Sequence, residues 1–219
     1  MKRYAIIVAG GQGTRMKSTL PKQFLIVNGK PVIMHTMQCF AYADIDIVLV
    51  LNANYHLYWK QLCAEQTFNI PHRIVAGGST RAQSVLNGLL TIDQESLVAV
   101  HDAVRPLLST TLIEKLYHSA EEYGNAIPYV KLRESLRELT PDGNRTVDRE
   151  KFISVQTPQC FKTSELIAAF QNPDFNTFTD EASLVECAGN KINLVEGEYS
   201  NIKITFAEDL VFAAAFLNS

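Results

Sequence analysis

Tyr4 to Val8 is apolar at every position and runs straight into the glycine-studded turn Ala9-Gly10-Gly11-Gln12-Gly13-Thr14-Arg15. A strand with one wet face alternates apolar and polar residues, whereas one that is apolar throughout must be covered on both faces. Short β-branched runs recur at Ile45 to Leu51, His72 to Val75, Leu97 to Val100 and Ile192 to Val195, several of them continuously apolar. Helical stripes lie between them. In Thr111 to Tyr123, Leu112, Ile113, Leu116, Tyr117 and Ala120 share one face, and Thr111 with Glu114 has capping-box spacing. Thr205 with Glu208 repeats that start signal before a last helix over 209–217. Strands alternating with helices predict an α/β fold: a single Rossmann-like domain over 1–219 with a mainly parallel sheet.

One segment breaks the alternation. Leu136 to Thr140, the turn residues Pro141-Asp142-Gly143-Asn144, and Arg145 to Arg149 read as a β-hairpin. Lys131, Arg133, Glu134, Arg137, Glu138, Arg145, Asp148 and Arg149 make it too polar for a core. The stretch 131–149 is therefore expected to protrude as an arm, either solvated or reaching a second subunit, since a lone hairpin is only marginally stable.

Composition narrows the partners. The chain has 20 Lys plus Arg against 23 Asp plus Glu, a net charge of -3, which speaks against binding nucleic acid or membrane through bulk positive charge. A small cationic pocket remains compatible with that balance. Cys39, Cys63, Cys160 and Cys187 form no CxxC pair, so they are expected to be small buried hydrophobes, not zinc ligands or disulfides. The opening MKRYAIIVAGG carries two cations and an apolar run, but the run meets glycine short of the roughly 7–15 residues of a signal-peptide core. No stretch approaches the roughly 20 apolar residues of a membrane span, and a cytoplasmic protein is expected.

The turn from Ala9 to Phe24, AGGQGTRMKSTLPKQF, carries the clearest chemistry. Gly10, Gly11 and Gly13 let backbone amides approach an anion closely. A dinucleotide fingerprint beginning at Gly11 would need a small residue where Met16 stands, which disfavours an NAD-dependent dehydrogenase. No Gly-Lys-Ser/Thr closes a Walker loop. Two cations follow the glycines: Arg15 offers a planar fork and Lys22 a mobile point charge, both suited to a polyphosphate. The same residues also read as a plain glycine-rich turn flanked by surface cations.

GGQGTRM followed by PKQF resembles the signature of the cytidylyltransferases that act on 2-C-methyl-D-erythritol 4-phosphate. Six further blocks are similar to that family's and follow its order: GGSTRAQSV at 77–85, HDAVRP at 101–106, VDR at 147–149, QTPQCF at 156–161, TDEASLVE at 179–186 and NIKIT at 201–205. Ribitol 5-phosphate cytidylyltransferases share most of these blocks and remain an alternative, and a non-catalytic nucleotide-binding module a more distant one. The resemblance implies a nucleotidyltransferase domain that uses CTP, a phosphosugar alditol and Mg²⁺ or another divalent cation, and that pairs as a homodimer through the arm.

Residue by residue, the resemblance implies that Arg15 and Lys22 are catalytic and that Ala9, Gly10, Gly11, Gly13, Gly78, Ser79 and Ser84 hold the nucleotide. Asp102, Arg105, Ser135, Arg149, Thr157, Thr179 and Lys203 fall on the substrate side. Asp102 is also the metal candidate, because Mg²⁺ is commonly held by one or two carboxylates plus substrate phosphates. The positions themselves agree: Gly10, Gly77, His101 and Gln156 lie just beyond the carboxyl ends of expected strands, the ligand edge of an open parallel sheet. Structural readings stand beside these. Ser79 or Thr80 can cap a helix, Thr179-Asp180 begins another, and Lys203 alternates with isoleucines as the outer face of a strand would. Ser79 replaces a frequently acidic family residue, Ser135 replaces a threonine, and the segment YVKLRESLREL is about three residues longer than usual.

Overall fold

The computed structural model describes residues 1–10, 20–42 and 44–217. From the N-terminus, β1 (Lys2–Ala9) is followed by the short pair β2 (Ile26–Val27) and β3 (Lys30–Pro31), then α1 (Val32–Gln38), β4 (Ile45–Leu51) and α2 (His56–Glu65). Next come β5 (His72–Ala76), α3 (Arg81–Leu89), β6 (Ser96–Asp102), α4 (Thr110–Tyr123) and β7 (Asn125–Lys131). The rest is β8 (Arg137–Thr140), β9 (Gly143–Thr146), β10 (Ile153–Val155), β11 (Gln159–Lys162), α5 (Thr163–Ala169), α6 (Glu181–Cys187), β12 (Leu194–Glu196) and α7 (Ala207–Phe216).

The main sheet has the order β10-β7-β11-β6-β1-β4-β5, and β12 pairs with β7. β6, β1, β4 and β5 run parallel, as do β12 and β7. β11 is antiparallel to both β6 and β7, and β10 is antiparallel to β7. The expected α/β fold with a mainly parallel sheet is therefore present, with antiparallel strands confined to the half that carries the arm.

Continuous apolarity in β1 has the expected cause. Ala5, Ile7 and Ala9 face a core completed by α1, α2 and α4, through Met34, Trp59 and Leu116 among others. Tyr4, Ile6 and Val8 face a second core completed by α3, α5 and α6, through Val85, Leu166 and Val185. Gly88 of α3 lets that helix approach the sheet: a Cβ there would lie 2.8 Å from Val50 Cγ2 and 3.0 Å from Ile6 Cγ2. An exposed helical glycine gains about 1 kcal/mol on replacement by alanine. Gly88→Ala should instead lose about 1–3 kcal/mol through overpacking, read as a lower urea midpoint at unchanged slope.

Several local expectations change. The α4 cap is Ser109, whose hydroxyl accepts from Leu112 N at 3.0 Å, so Thr111 with Glu114 is no capping box. Before α7, Asp209 accepts from Thr205 N at 2.7 Å and Phe206 N at 2.8 Å, the role expected of Glu208. The last strand is Leu194–Glu196, not Ile192 to Val195, and His101 lies within β6, not beyond it. Cys160 is buried, Cys39 and Cys63 are partly so, and Cys187 is exposed, which corrects the expectation of four buried thiols. β8 and β9 form a hairpin where one is expected, but its second strand is Gly143–Thr146, not Arg145 to Arg149. Gly143 pairs with Thr140 and Asn144 with Leu139, which shortens the turn to Pro141-Asp142, and almost every residue is exposed.

Candidate active site

The C-terminal ends of β1 and β6 open onto a cavity of about 590 Å³, shared with the turn after β5. Ala9, Gly10, Lys22, Gly78, Ser79, Ser84, Asp102 and Lys203 line it, together with Arg81 and Thr205. Eight residues expected from the sequence thus converge from segments spread along the chain. Gly11, Gly13 and Arg15 lie outside the described residues.

Ser84 organises the floor. Buried on the first turn of α3, its hydroxyl accepts from Gly78 N at 3.0 Å and donates to Thr80 O at 2.8 Å. A Cβ on Gly10 would come within 3.2 Å of that hydroxyl, and one on Gly78 would collide with the Gln83 side chain. These glycines let two loops close on one serine. Thr80 caps α3 by accepting from Gln83 N at 3.0 Å, so of the two cap candidates Thr80 serves and Ser79 stays exposed.

Lys22 lies in a single 3-10 turn, Lys22–Phe24, entered through Pro21. Its ammonium donates to Ile204 O at 2.9 Å. The neighbouring Gln23, 3% exposed, donates to Ala9 O at 2.8 Å and ties this turn to the end of β1. Sequence reasoning misses Gln23, because a glutamine between a lysine and a phenylalanine carries no local sign of being buried.

Asp102 ends β6 inside a ring of cations. Lys203 Nζ is 2.8 Å from Oδ2, Arg105 Nε is 3.6 Å from the same oxygen, and Arg81 Nε is 3.4 Å from Oδ1. Burial alone would raise this carboxyl, but Arg81, Lys203 and Arg105 hold it well below the usual carboxylate range. Arg105 is itself buried and donates to Asn201 O at 2.8 Å. Arg81 is likewise missed from the sequence: it makes a two-pronged contact with Glu181 at 2.7 and 3.0 Å.

A divalent cation does not fit this donor set as a resident ion. Both Asp102 oxygens face guanidinium or ammonium groups. Among the described residues, no group of three or more His, Cys, Asp or Glu gathers as metal ligands would.

Behind Asp102, Thr157 Oγ1 accepts from Asp102 N at 3.1 Å and contacts His101 Nδ1 at 3.0 Å, while His101 Nε2 lies 3.2 Å from Arg105 O. This pattern assigns the ring proton to Nε2 and makes Nδ1 the acceptor of the threonine hydroxyl. Thr157 therefore braces the Asp102 backbone from a buried position instead of lining the cavity. Burial lowers the His101 pKa to about 4, against an ordinary 6.5. A folded value below the unfolded one makes the unfolded chain bind the extra proton, so stability is full above pH 6.5 and falls towards pH 4. The loss should approach roughly 3 kcal/mol, and His101→Gln should flatten the pH dependence of the melting temperature across that window.

Ser135, Arg149 and Thr179 do not join the cavity within one chain. Ser135 and Arg149 are exposed and Thr179 does not line the cavity, while Arg149 donates to Arg133 O at 2.8 Å and pairs with Glu150 at 3.2 Å. Asp180, next to Thr179, caps α6 by accepting from Ser183 N at 3.1 Å.

Gly10, Gly78, Lys22 and the Asp102–Lys203 pair thus meet at the ligand edge of a parallel sheet in an α/β fold, an arrangement suited to a phosphorylated ligand. The family model for 2-C-methyl-D-erythritol 4-phosphate cytidylyltransferase matches residues 4–219, and the chain belongs to that family. It is 46% identical over 219 residues to the protein of that name from Porphyromonas gingivalis, covering 100% of this chain and 99% of that one. Its counterpart in Bacteroides thetaiotaomicron is also 46% identical, over 99% and 100% of the two chains. Among solved structures, the Thermus thermophilus enzyme of the same name superposes with a TM-score of 0.83 at 31% identity, covering 100% of each chain. The 4-diphosphocytidyl-2C-methyl-D-erythritol synthase from Anaerococcus prevotii gives 0.83 at 31%, over 99% and 96%.

Proposed function

We propose that this chain transfers a cytidylyl group from CTP to 2-C-methyl-D-erythritol 4-phosphate, releasing pyrophosphate and 4-diphosphocytidyl-2-C-methyl-D-erythritol for isoprenoid precursor synthesis. The observation that carries this reading is the placement of Lys22 and the Asp102–Lys203 pair around one cavity, in a chain of this family. A phosphate monoester dianion is already nucleophilic, so its oxygen attacks the α-phosphorus in line without a general base. The enzyme's task is to hold two anions together and to neutralise the charge that develops.

In this reading Arg15 and Lys22 serve the α-phosphate, and the loops at Gly10 and Gly78 take the nucleotide. Lys203 meets the acceptor phosphate from the far side, steered by Asp102. Mg²⁺ or another divalent cation enters as part of the nucleotide substrate, complexed to the triphosphate. Arg149, Ser135 and Thr179 complete the acceptor site across a homodimer formed through the arm. The exposed Leu139 on the arm and Phe152 at its base suit burial against a second copy. No helix among the described residues is long and apolar enough to cross a membrane, and the reading places the enzyme in the cytoplasm.

Pyrophosphate release from Mg·CTP, measured side by side with methylerythritol phosphate and ribitol 5-phosphate, tests this. Faster release with the first acceptor is expected. Preference for the second would replace the acceptor, and release with neither would favour a binding module.

A further inference from the structure

Glu181 is a carboxylate at 2% exposure on the first turn of α6, facing away from solvent towards α3. Its segment is anchored independently: Gln159 of β11 donates to Asp180 Oδ2 at 2.8 Å and accepts from Ala182 N at 2.9 Å. A buried charge persists only when it is compensated, and the compensation here is the planar fork of Arg81, with one nitrogen on each Glu181 oxygen. The third face of the same guanidinium, Nε, turns to Asp102 Oδ1 at 3.4 Å. Arg81 therefore lies between two carboxylates and is largely neutralised by them. With Oδ1 held on that side, Asp102 presents Oδ2 to Lys203 at 2.8 Å.

We propose that Glu181 and Arg81 are positioning residues, which orient the Asp102 carboxylate and through it fix the Lys203 ammonium at the acceptor side of the cavity. Glu181 does not line the cavity. Its effect passes through the guanidinium: without the Glu181 charge, the fork is released towards Asp102 and competes with Lys203 for the same carboxylate. A displacement of this size at a substrate-positioning group lowers transfer by roughly 10- to 100-fold. Arg81 shares the first turn of α3 with Ser84, but among the described residues the Glu181 carboxylate is hydrogen-bonded to Arg81 and not to Gly10, Gly78 or Ser84, so nucleotide binding should change less than acceptor binding.

The inference rests on the proposed reaction for its kinetic test but not for its spectroscopic one. In the full-length protein without substrates, the Lys203 ammonium signal in ¹⁵N-resolved NMR is assigned by its loss in Lys203→Met, and Glu181→Gln should shift or broaden it. An unmoved signal overturns the proposal whatever the substrate is. In kinetics, Glu181→Gln should lower kcat/KM for the phosphosugar by roughly 10- to 100-fold while the CTP KM changes by less than about threefold. In an Asp102→Asn background the same substitution should cost less than about twofold, because both act through one carboxylate. Equal losses towards both substrates, or full additivity, would reduce Glu181 to a fold-stabilising residue and overturn the proposal. If Glu181→Gln does not fold, Arg81→Lys, which keeps the charge and loses the fork, should show the same split between substrates. Absence of turnover in the unmodified enzyme would count against the proposed reaction alone.

Discussion

Lys22→Met should lower turnover by about 10²–10³-fold while leaving the CTP KM within a few-fold of its original value. The expectation follows from where the ammonium is held. Pro21 and the single turn Lys22–Phe24 are locked to the end of β1 by Gln23, and the Lys22 ammonium rests on Ile204 O in the segment that carries Lys203. A cation fixed in advance by the fold reorganises little when charge develops on the α-phosphate, so its contribution falls mainly on the transition state. Removing the charge while keeping most of the stem isolates that contribution. Steady-state rates with saturating CTP and phosphosugar decide it: a variant of near-normal turnover, or one whose whole loss is in the CTP KM, would show that Lys22 only binds.

Two inactive variants should restore activity to each other when mixed. Arg149 is exposed at the end of the arm, its guanidinium meets Arg133 O and Glu150, and it does not line the cavity of its own chain. In the proposed homodimer it serves the partner's site. Lys22→Met and Arg149→Met would each inactivate both sites of their own homodimers. After random reassortment about half of the dimers are mixed, and each mixed dimer has one site with both residues intact. Roughly a quarter of wild-type activity should therefore appear on mixing, rising over the time of subunit exchange. Activity that stays at the level of the separate variants would mean that Arg149 serves its own chain or none.

The parts of the fold that could be read from the sequence are those set by local periodicity. Ile45 to Leu51 is a strand over the same residues expected from its β-branched run, because every position is buried between helices or by the neighbouring strands, save Asp46. The capping residues were harder. Thr111 and Glu114 have the right spacing, but Ser109 supplies the hydroxyl that reaches Leu112 N, a choice made by where the chain leaves β6. The arm was legible through Pro141-Asp142-Gly143 and its charge, since a tight turn and a polar hairpin are both local properties.

The site divides in the same way. The sequence makes the gathering of Gly10, Lys22 and Gly78 at one edge of a parallel sheet legible, because strand ends and glycine turns are written in adjacent residues. It also marked Asp102 as an acid at a strand end. Tertiary packing decided what that acid does: Arg105 stands only three residues away, but Arg81 and Lys203 arrive from distant positions that no spacing rule links to it. It likewise decided that Glu181 is buried, although an acidic residue in the first turn of a helix ordinarily faces water. Charge pairing at about 3 Å depends on how separate elements pack around the sheet, and that information is held by the whole fold and by no single segment of the chain.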